Sequence, residues 1–286
     1  MKKAAIFLLV LLLCACAQPV QKPEFTKESL PRIDGSTATI PYSEGIVREL
    51  LGLSPEEAQS FVHHNTTHYA YENLLEGKCD VIFVTPPSEE EYKMLEESGK
   101  SYGIVKVLND AFVFLANVQN PIDDIASEDI RKIYRGEIKN WSEIGGADSE
   151  IIPYQRPDNS GSQTLMYKLC VPKNEIMPAP TELKPAEMGD LVDAVSNYES
   201  GKAALGYSVY YYASGMYTDA GSKLIAVDGV YPTNETIKDG SYPFVDGYYA
   251  IYLGDGESNG VKTLIDYLLS DGGRIIAESS GYVPIK

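Results

Sequence analysis

Segments with helix-like and strand-like patterns alternate along the chain from about residue 32 onwards. Apolar residues at helical spacing predict helices over 42–51 and in "THYAYENLLEG", "SEEEYKMLEES" and "SNGVKTLIDYLLSDGGRIIAESSG". Continuous apolar runs predict buried strands in "CDVIFVTPP", "AFVFLANV" and "YPFVDGYYAIYLG". Ser88 is expected to cap the helix of "SEEEYKMLEES". This alternation is typical of an α/β protein with mainly parallel sheets.

The middle of the chain continues the same pattern. We predict helices in "SEDIRKIYRG", capped by Ser127, and in "SQTLMYKLC" and "GDLVDAVSNYESG". Strands are predicted in "IIPYQR" and at the start of "AALGYSVYYYAS". The tyrosines at 210–212 are expected to pack at the edge of the core, with a contact surface as the alternative. Trp141 is expected to pack a corner between elements rather than to touch a ligand.

The N-terminus has the composition of an export signal. Lys2 and Lys3 precede the apolar run Ala4–Leu13, which is too short to span a membrane. The following stretch, Leu-Cys-Ala-Cys, resembles a bacterial lipobox. The resemblance implies cleavage before Cys16 and a diacylglycerol anchor on that cysteine; an ordinary signal peptide cut further along is the alternative. We therefore expect an extracytoplasmic protein, attached to the cell membrane by a lipid.

Residues 1–15 are thus predicted to be a lipoprotein signal peptide, and the polar residues 16–31 a flexible tether. The remaining length allows one large domain or two lobes. The formal net charge of −17 argues against nucleic-acid binding, which needs basic patches.

Cysteine and histidine positions give no metal signature. We expect Cys79 and Cys170 to be two buried thiols, with a single disulfide as the alternative. His64 and His68 would share a face if both lay on one helix, but no third ligand stands at a suitable spacing beside them or His63. His68 could instead lend a pocket a pH-dependent donor.

The stretch "YQRPDNSGSQTLM" has the composition of an anion site. Ser160, Gly161 and Ser162 open a predicted helix, whose first backbone amides have no intrahelical partner and point outwards. Arg156 would add a planar cation suited to an oxyanion, and Asp158 could brace it. The alternative is a plain capped helix with the arginine on the surface.

Two other loops repeat this device. "DGSTATIP" runs from a strand into a helix and carries small hydroxyl residues, Ser36 and Thr37 among them. Thr66 and Thr67 open the helix of "THYAYENLLEG". Three helix N-termini with serine or threonine could converge on one tetrahedral oxyanion.

Seven stretches together resemble the phosphate-binding proteins of bacterial phosphate ABC transporters. They are "GSTATIP", "EGKCDVIFVTPPSEEE", "IYRGEIKNWSEIGG", "RPDNSGSQ", "ALGY", "VDGVYPTNETIKDGSYPF" and "SGYVPI". The resemblance implies a two-lobed periplasmic-binding-protein fold of type II, with a hinge and a ligand cleft between the lobes. Lobe 1 would comprise 32–112 and 246–286, and lobe 2 would comprise 113–245. The chain would cross the hinge near 112–118 and near 243–249.

The resemblance also implies the ligand contacts. Matched residue by residue, they are Thr39, the Ile40 amide, Thr67, Arg156, Ser160, Gly161 and Ser162. Asp158 would hold the arginine. Where the family has an aspartate that accepts the proton of hydrogenphosphate, this sequence has Thr85. A hydroxyl carries no charge to repel sulfate, so we expect phosphate binding with poorer rejection of sulfate-like anions.

By resemblance, the protein delivers phosphate to an ABC permease, as a monomer and without a cofactor. One alternative is the same fold binding another oxyanion, such as sulfate or an organic phosphate. Another is an anchored anion sensor or adhesion protein without a transport role. We do not expect an enzyme, because no catalytic constellation can be placed in the sequence.

Overall fold

The computed structural model describes residues 20–197, 203–218, 221–258 and 260–285. The predicted signal peptide, Cys16 and the first residues of the predicted tether lie outside this part of the chain. Within it, helices of the length and apolarity that a membrane crossing requires are absent.

The strands of the described residues form one connected sheet. They are β1 Ile33–Gly35, β2 Val81–Val84, β3 Tyr102–Asn117, β4 Asp124–Ile125, β5 Ile152–Pro153, β6 Ala204–Val209, β7 Ser222–Val227, β8 Val245–Leu253 and β9 Val283–Pro284. The main order across the sheet is β1-β2-β8-β3-β6-β5, with β7 and β9 also paired to β3 and β4 paired to β7.

Helices cover the sheet. They are α1 Ile40–Leu51, α2 Pro55–Phe61, α3 Thr67–Leu75, α4 Glu89–Glu97, α5 Ser127–Arg135, α6 Gly161–Leu165, α7 Met188–Asn197, α8 Asn234–Lys238, α9 Val261–Leu268 and α10 Asp271–Ser279. The buried face of α1 carries Tyr42, Ile46, Val47 and Leu50, which is the helical spacing seen in the sequence. Ser88 caps α4 as predicted, and its side chain accepts from the Glu91 amide.

Strand β3 divides the molecule into two halves. It pairs with β8 over Tyr102–Ala111 and with β6 over Phe112–Ala116. We call the first half the elements on the β8 side: β1, β2, β8, β9, α1–α4, α9 and α10. The second half contains β4–β7 and α5–α8. This change of partner lies next to the lobe boundary that the sequence predicts, and the boundaries themselves stay a prediction.

The prediction of a mainly parallel sheet is wrong. Only the pairs β1–β2, β4–β7 and β5–β6 are parallel among the described strands. The long strand β3 pairs antiparallel with β6, β7, β8 and β9. The cause is that β3 and β8 run in opposite directions across the middle of the sheet, a direction that helix–strand alternation does not encode.

Several predicted elements are shorter or broken. The strand expected in "IIPYQR" is confined to β5, and the helix in "SQTLMYKLC" becomes the short α6 followed by a π-helical turn over Met166–Cys170. The last helical segment breaks at Ser270, which caps α10. Ser127 is the first residue of α5, and Ala126 occupies the cap position.

Predictions about buried side chains are confirmed. Cys79 and Cys170 are free and buried, so these thiols are not in a disulfide. Trp141 is buried, and its indole Nε1 donates to the Ala203 carbonyl at 3.1 Å, which ties a corner of the second half together. Tyr211 stacks on Tyr282 of the first half.

Candidate functional site

A cavity of about 450 Å³ lies between the two halves. It is bordered by the segments that follow the carboxyl ends of β1, β2, β5 and β6, where ligands bind in open α/β sheets. Its walls include Ser36, Thr37, Ala38, Thr66, Thr67, His68, Tyr69, Thr85, Arg156, Asp158, Asn159, Ser160, Gly161, Ser162, Glu187, Met188 and Tyr212. Most residues that the sequence singles out therefore meet in one place.

The loop after β1 forms one wall because β1 can approach β2 closely. A Cβ on Gly35 would lie 2.3 Å from the Phe83 carbonyl oxygen, so only glycine fits here. That oxygen accepts from the Ser36 amide at 3.0 Å. The loop then exposes Ser36, Thr37 and Ala38 to the cavity.

Thr39 and Ile40 do not border the cavity, contrary to the roles that the resemblance implies. The Thr39 side chain is fully buried, and its hydroxyl lies 2.7 Å from the Phe83 carbonyl oxygen, to which it donates. The Ile40 amide donates to the Thr37 carbonyl. Both groups therefore fix the shape of the loop, and their neighbours in the short 3-10 turn supply the wall instead.

The start of α3 forms the second wall. Thr66 holds a φ of 66°, a backbone conformation that costs a β-branched residue free energy. This conformation of Thr66 turns the backbone so that Thr67, His68 and Tyr69 line the cavity. Such outliers persist where the surrounding structure fixes them, as at ligand sites.

Three buried hydroxyls on the cavity wall have no hydrogen-bond partner in the part of the chain that the structure describes. They belong to Thr85, Ser160 and Ser162. A buried polar group without a partner costs about 1–3 kcal/mol. Their convergence from both halves indicates a polar ligand between them.

Arg156 is the cation of the cavity, and the structure holds it rigidly. Its backbone amide donates to Gln163 Oε1 at 2.9 Å and to the Tyr207 hydroxyl at 2.7 Å. Its guanidinium Nε donates to the Pro185 carbonyl at 2.9 Å, and Nη2 to the Ala186 carbonyl at 2.6 Å. These hydrogen bonds orient the guanidinium group, but the carbonyl oxygens do not neutralise its charge.

The Arg156 side chain has no counter-ion in the described structure. The residue is 7% exposed, and none of the ion pairs among the described residues includes it. Burial lowers the pKa of its guanidinium, and nearby Tyr207 and Glu187 oppose that shift. An anion in the cavity would supply the missing negative charge.

Asp158 does not brace Arg156, so this expectation is wrong. Its carboxylate pairs with Lys173 Nζ at 2.8 Å and accepts from the Tyr167 hydroxyl at 2.7 Å. The side chain turns to the outer rim of the cavity because these partners lie there. The Pro185 and Ala186 carbonyls, which no sequence signal indicated, hold the arginine in its place.

The two halves touch beside the cavity. A Cβ on Gly161 would lie 2.5 Å from Thr85 Oγ1 and 3.0 Å from Thr67 Oγ1, so the glycine allows this close approach. Asn159, at a φ of 64°, accepts from Ser88 Oγ at 3.0 Å and donates to Glu90 Oε2 at 2.6 Å. These bonds join the loop before α6 to the start of α4.

The histidines do not form a metal site. His64 precedes α3 and does not share a helix face with His68; its ring contacts the Ser36 carbonyl at 2.9 Å and Ser43 Oγ at 3.1 Å. The described residues contain no cluster of three possible metal ligands. Burial lowers the pKa of His64, which favours the neutral ring.

Sequence reasoning missed Glu91, a fully buried carboxyl on α4. Its Oε1 lies 3.4 Å from His68 Nδ1, and its Oε2 accepts from the Ser88 amide at 2.8 Å. The only sequence signal was the capping pattern of "SEEE". This pattern accounts for the bond between Glu91 and Ser88 but not for the contact of Glu91 with His68 on the cavity wall.

Comparison with known proteins identifies the family to which the chain belongs. A model of the PBP superfamily domain matches residues 48–272. The chain belongs to the PBP superfamily. This assignment confirms the α/β fold of periplasmic-binding-protein type that the resemblance implied.

Its relatives are consistent with the sequence motifs. Phosphate-binding protein PstS of Bacillus subtilis is 32% identical over 180 residues, which cover 61% of this chain and 56% of that protein. PstS of Staphylococcus saprophyticus is 24% identical over 282 residues, covering 96% of this chain and 86% of that one. The chain thus matches little more than half the length of the first of these relatives.

A solved structure has the same fold. A Clostridium perfringens protein, described as a phosphate ABC transporter substrate-binding protein and solved with bound phosphate, superposes with a TM-score of 0.68. The match covers 89% of this chain and 98% of that one, at 23% identity. The PstS relatives confirm the resemblance to phosphate-binding proteins that the sequence motifs indicated. At 23% identity, the superposition shows the fold alone.

Proposed function

We propose that this chain captures inorganic phosphate between its two halves and delivers it to the permease of an ABC transporter. One observation carries the proposal: the buried, unpaired cation of Arg156 shares a cavity with three buried hydroxyls that have no partner among the described residues. A tetrahedral oxyanion satisfies all of these groups at once. The names of the PstS relatives identify phosphate as the first oxyanion to test.

The net charge of −17 does not oppose this function. Surface charges are screened over about 8 Å at physiological salt, whereas the donors of the cavity act at contact distance. We further propose that the chain works outside the cytoplasm, that Cys16 carries the lipid anchor, and that the chain acts as a monomer. The positively charged n-region, apolar run and lipobox-like stretch support the first two points.

Binding is tested by calorimetric titration of the chain from residue 16 onwards with Cys16→Ser, unfolded and refolded to remove bound anion. Phosphate is expected to bind tightly. Arg156→Met should weaken phosphate binding by about a hundredfold or more, because it removes charge-assisted hydrogen bonds. Arg48→Met, on the exposed side of α1, is the control and should bind like the parent chain. A folded parent chain that gives no heat with phosphate would contradict the proposal.

Thr85 favours one second candidate, a binder of sulfate or another fully ionised oxyanion. Its hydroxyl is buried, uncharged and unpartnered in the described structure, so nothing at this position repels a dianion without a proton. The same titration with sulfate separates the two functions. A higher affinity for sulfate than for phosphate would select the second.

A further inference from the structure

Hydrogenphosphate differs from sulfate in carrying a proton, which needs a hydrogen-bond acceptor in the site. The charged carboxylates on the cavity wall are poorly placed for this role. Asp158 already binds Lys173 and Tyr167, and half of its side chain is exposed. Glu187 is exposed at the rim. The unpartnered hydroxyls of Thr85, Ser160 and Ser162 can rotate to donate or to accept, so an acceptor that cannot also donate must come from another residue.

His68 has the required position. It lines the cavity next to Thr67, and 29% of its side chain is exposed. Nδ1 lies 3.4 Å from Glu91 Oε1, whereas Nε2 has no hydrogen-bond partner among the residues that the structure describes. The free ring nitrogen is therefore the one that a ligand can meet.

Glu91 can determine which ring nitrogen carries the proton. Its side chain is completely buried, and the Ser88 amide donates to Oε2 at 2.8 Å, which leaves Oε1 for the histidine. Ser88 Oγ in turn accepts from the Glu91 amide at 3.2 Å. Burial raises the pKa of Glu91, and the hydrogen bonds from Ser88 and His68 oppose this shift. A proton on Nδ1 gives the carboxylate its second donor.

We propose that Glu91 holds His68 with its proton on Nδ1, so that the Nε2 lone pair accepts the hydrogen bond of protonated phosphate and disfavours sulfate. His68 is then a specificity-determining residue, and Glu91 is a positioning residue that acts through it. The inference rests on the proposed function of phosphate capture. The Nε2 lone pair then serves as the acceptor that an aspartate provides in the family and that Thr85 replaces in this chain.

Other charged and titratable groups lie around the pair. Arg156, Asp158 and Glu187 face the same cavity as His68, while Tyr71 of α3 and Tyr92 of α4 lie near Glu91. Sulfate at neutral pH carries no proton, so it needs only donors around it. A ring proton on Nε2 would turn this atom from an acceptor into a donor and should favour sulfate.

The first test is Glu91→Gln, a substitution of nearly equal shape. The Ser88 amide requires the carbonyl oxygen of the new side chain, so its NH₂ group faces Nδ1 and drives the ring proton to Nε2. The ratio of phosphate to sulfate affinity should fall about ten- to hundredfold, because one acceptor becomes a donor. Equal losses for both anions would mean that Glu91 is only structural and would overturn the inference.

The second test is His68→Ala, with His63→Ala as its control. His63 is an exposed histidine that does not line this cavity. The His68 variant should lose the preference for phosphate. The His63 variant should keep it. An unchanged affinity ratio in a folded His68 variant would refute the inference.

The tautomer can be observed without any substitution at the site. The ¹⁵N spectrum of the imidazole rings in the parent chain should show His68 protonated at Nδ1, assigned by comparison with the two alanine variants. A proton on Nε2 would contradict the inference even if phosphate binds. If the parent chain binds neither anion, the proposed function fails first, which the calorimetry with both anions distinguishes.

Discussion

At the scale of single residues, the cavity is lined by polar groups that lack a counter-ion or a hydrogen-bond partner in the described structure. Arg156 is buried without a counter-ion in the described structure, and the hydroxyls of Thr85, Ser160 and Ser162 are buried without partners there. Each costs stability in the free protein. That cost becomes part of the binding free energy when a ligand of the right charge and shape enters.

Gly161 is expected to control the closeness of the two halves. An added Cβ would lie 2.5 Å from Thr85 Oγ1, a separation too short for a carbon–oxygen contact, so Gly161→Ala must push the halves apart. Phosphate affinity should fall by about ten- to hundredfold, as for an overpacked contact. Calorimetry measures this, and Gly189→Ala in α7, whose Cβ would meet its nearest neighbour at 3.4 Å, should leave the affinity unchanged. A Gly161 variant with parental affinity would mean that the halves need not touch.

The sequence identified most of the cavity wall because small hydroxyl residues before helices are a local signal. Thr67, Ser160 and Ser162 could be selected in this way, whereas Thr85 was selected only by its match to the aspartate position of the family. Glu91 could not, because its contact with His68 joins two helices whose packing is set by the whole fold. The roles of Thr39 and Ile40 were misassigned because neighbouring residues of a short 3-10 turn have different roles. Thr37 and Ala38 line the cavity, whereas the next two residues hold the loop in shape.

At the scale of elements, strand β3 is the feature on which both halves depend. Asp110 lies in β3 one residue before Ala111, where the strand stops pairing with β8. Its Oδ1 accepts from the Ala111 amide at 2.8 Å and from the Tyr211 amide of the second half at 3.2 Å. Apolar runs revealed β3 in the sequence, but its length and its antiparallel partners depend on contacts between distant segments.

Asp110 should make stability depend on pH. Burial raises its pKa to about 6, against the opposing effect of its hydrogen bonds. The native state then disfavours the ionised form, so its contribution is present below the unfolded pKa near 3.9 and is lost as the pH rises through about 6. Relative to Asp110→Asn, the free energy of unfolding of the parent chain should fall by about 2 kcal/mol between about pH 4 and about pH 7.

Urea unfolding at several pH values measures this difference. Glu96→Gln, an exposed acidic residue of α4, is the matched control and should show a flat difference from the parent chain. A flat difference for Asp110→Asn as well would show that the carboxyl ionises as easily in the folded chain as in the unfolded one.

At the scale of the whole molecule, the two halves enclose the cavity and are joined beside it. Besides the strands, Asn159 bonds to Ser88 and Glu90 across the opening. Lys168 of the second half pairs with Asp246 of β8 at 2.8 Å. Opening the cavity by a hinge motion would break the Asn159 bonds but leave β3 intact.

Asn159→Gly is expected to speed the release of phosphate. Glycine keeps the φ of 64° but removes both side-chain hydrogen bonds to the first half, which together stabilise the closed form by about 1 kcal/mol at this partly exposed position. The dissociation rate in stopped-flow displacement should rise about three- to tenfold. Asp228→Gly, also at positive φ but not lining the cavity, should leave the rate unchanged. An unaltered rate in Asn159→Gly would show that these bonds do not hold the halves closed.

The position of β8 in the sheet also determines when the chain can fold. β8 lies between β2 and β3, yet it comes after every other strand except β9 in the described chain. A chain growing from its N-terminus therefore carries β2 and β3 with unpaired edges until residue 253 has been made. The first half must therefore assemble late, from segments that precede and follow the second half in the sequence.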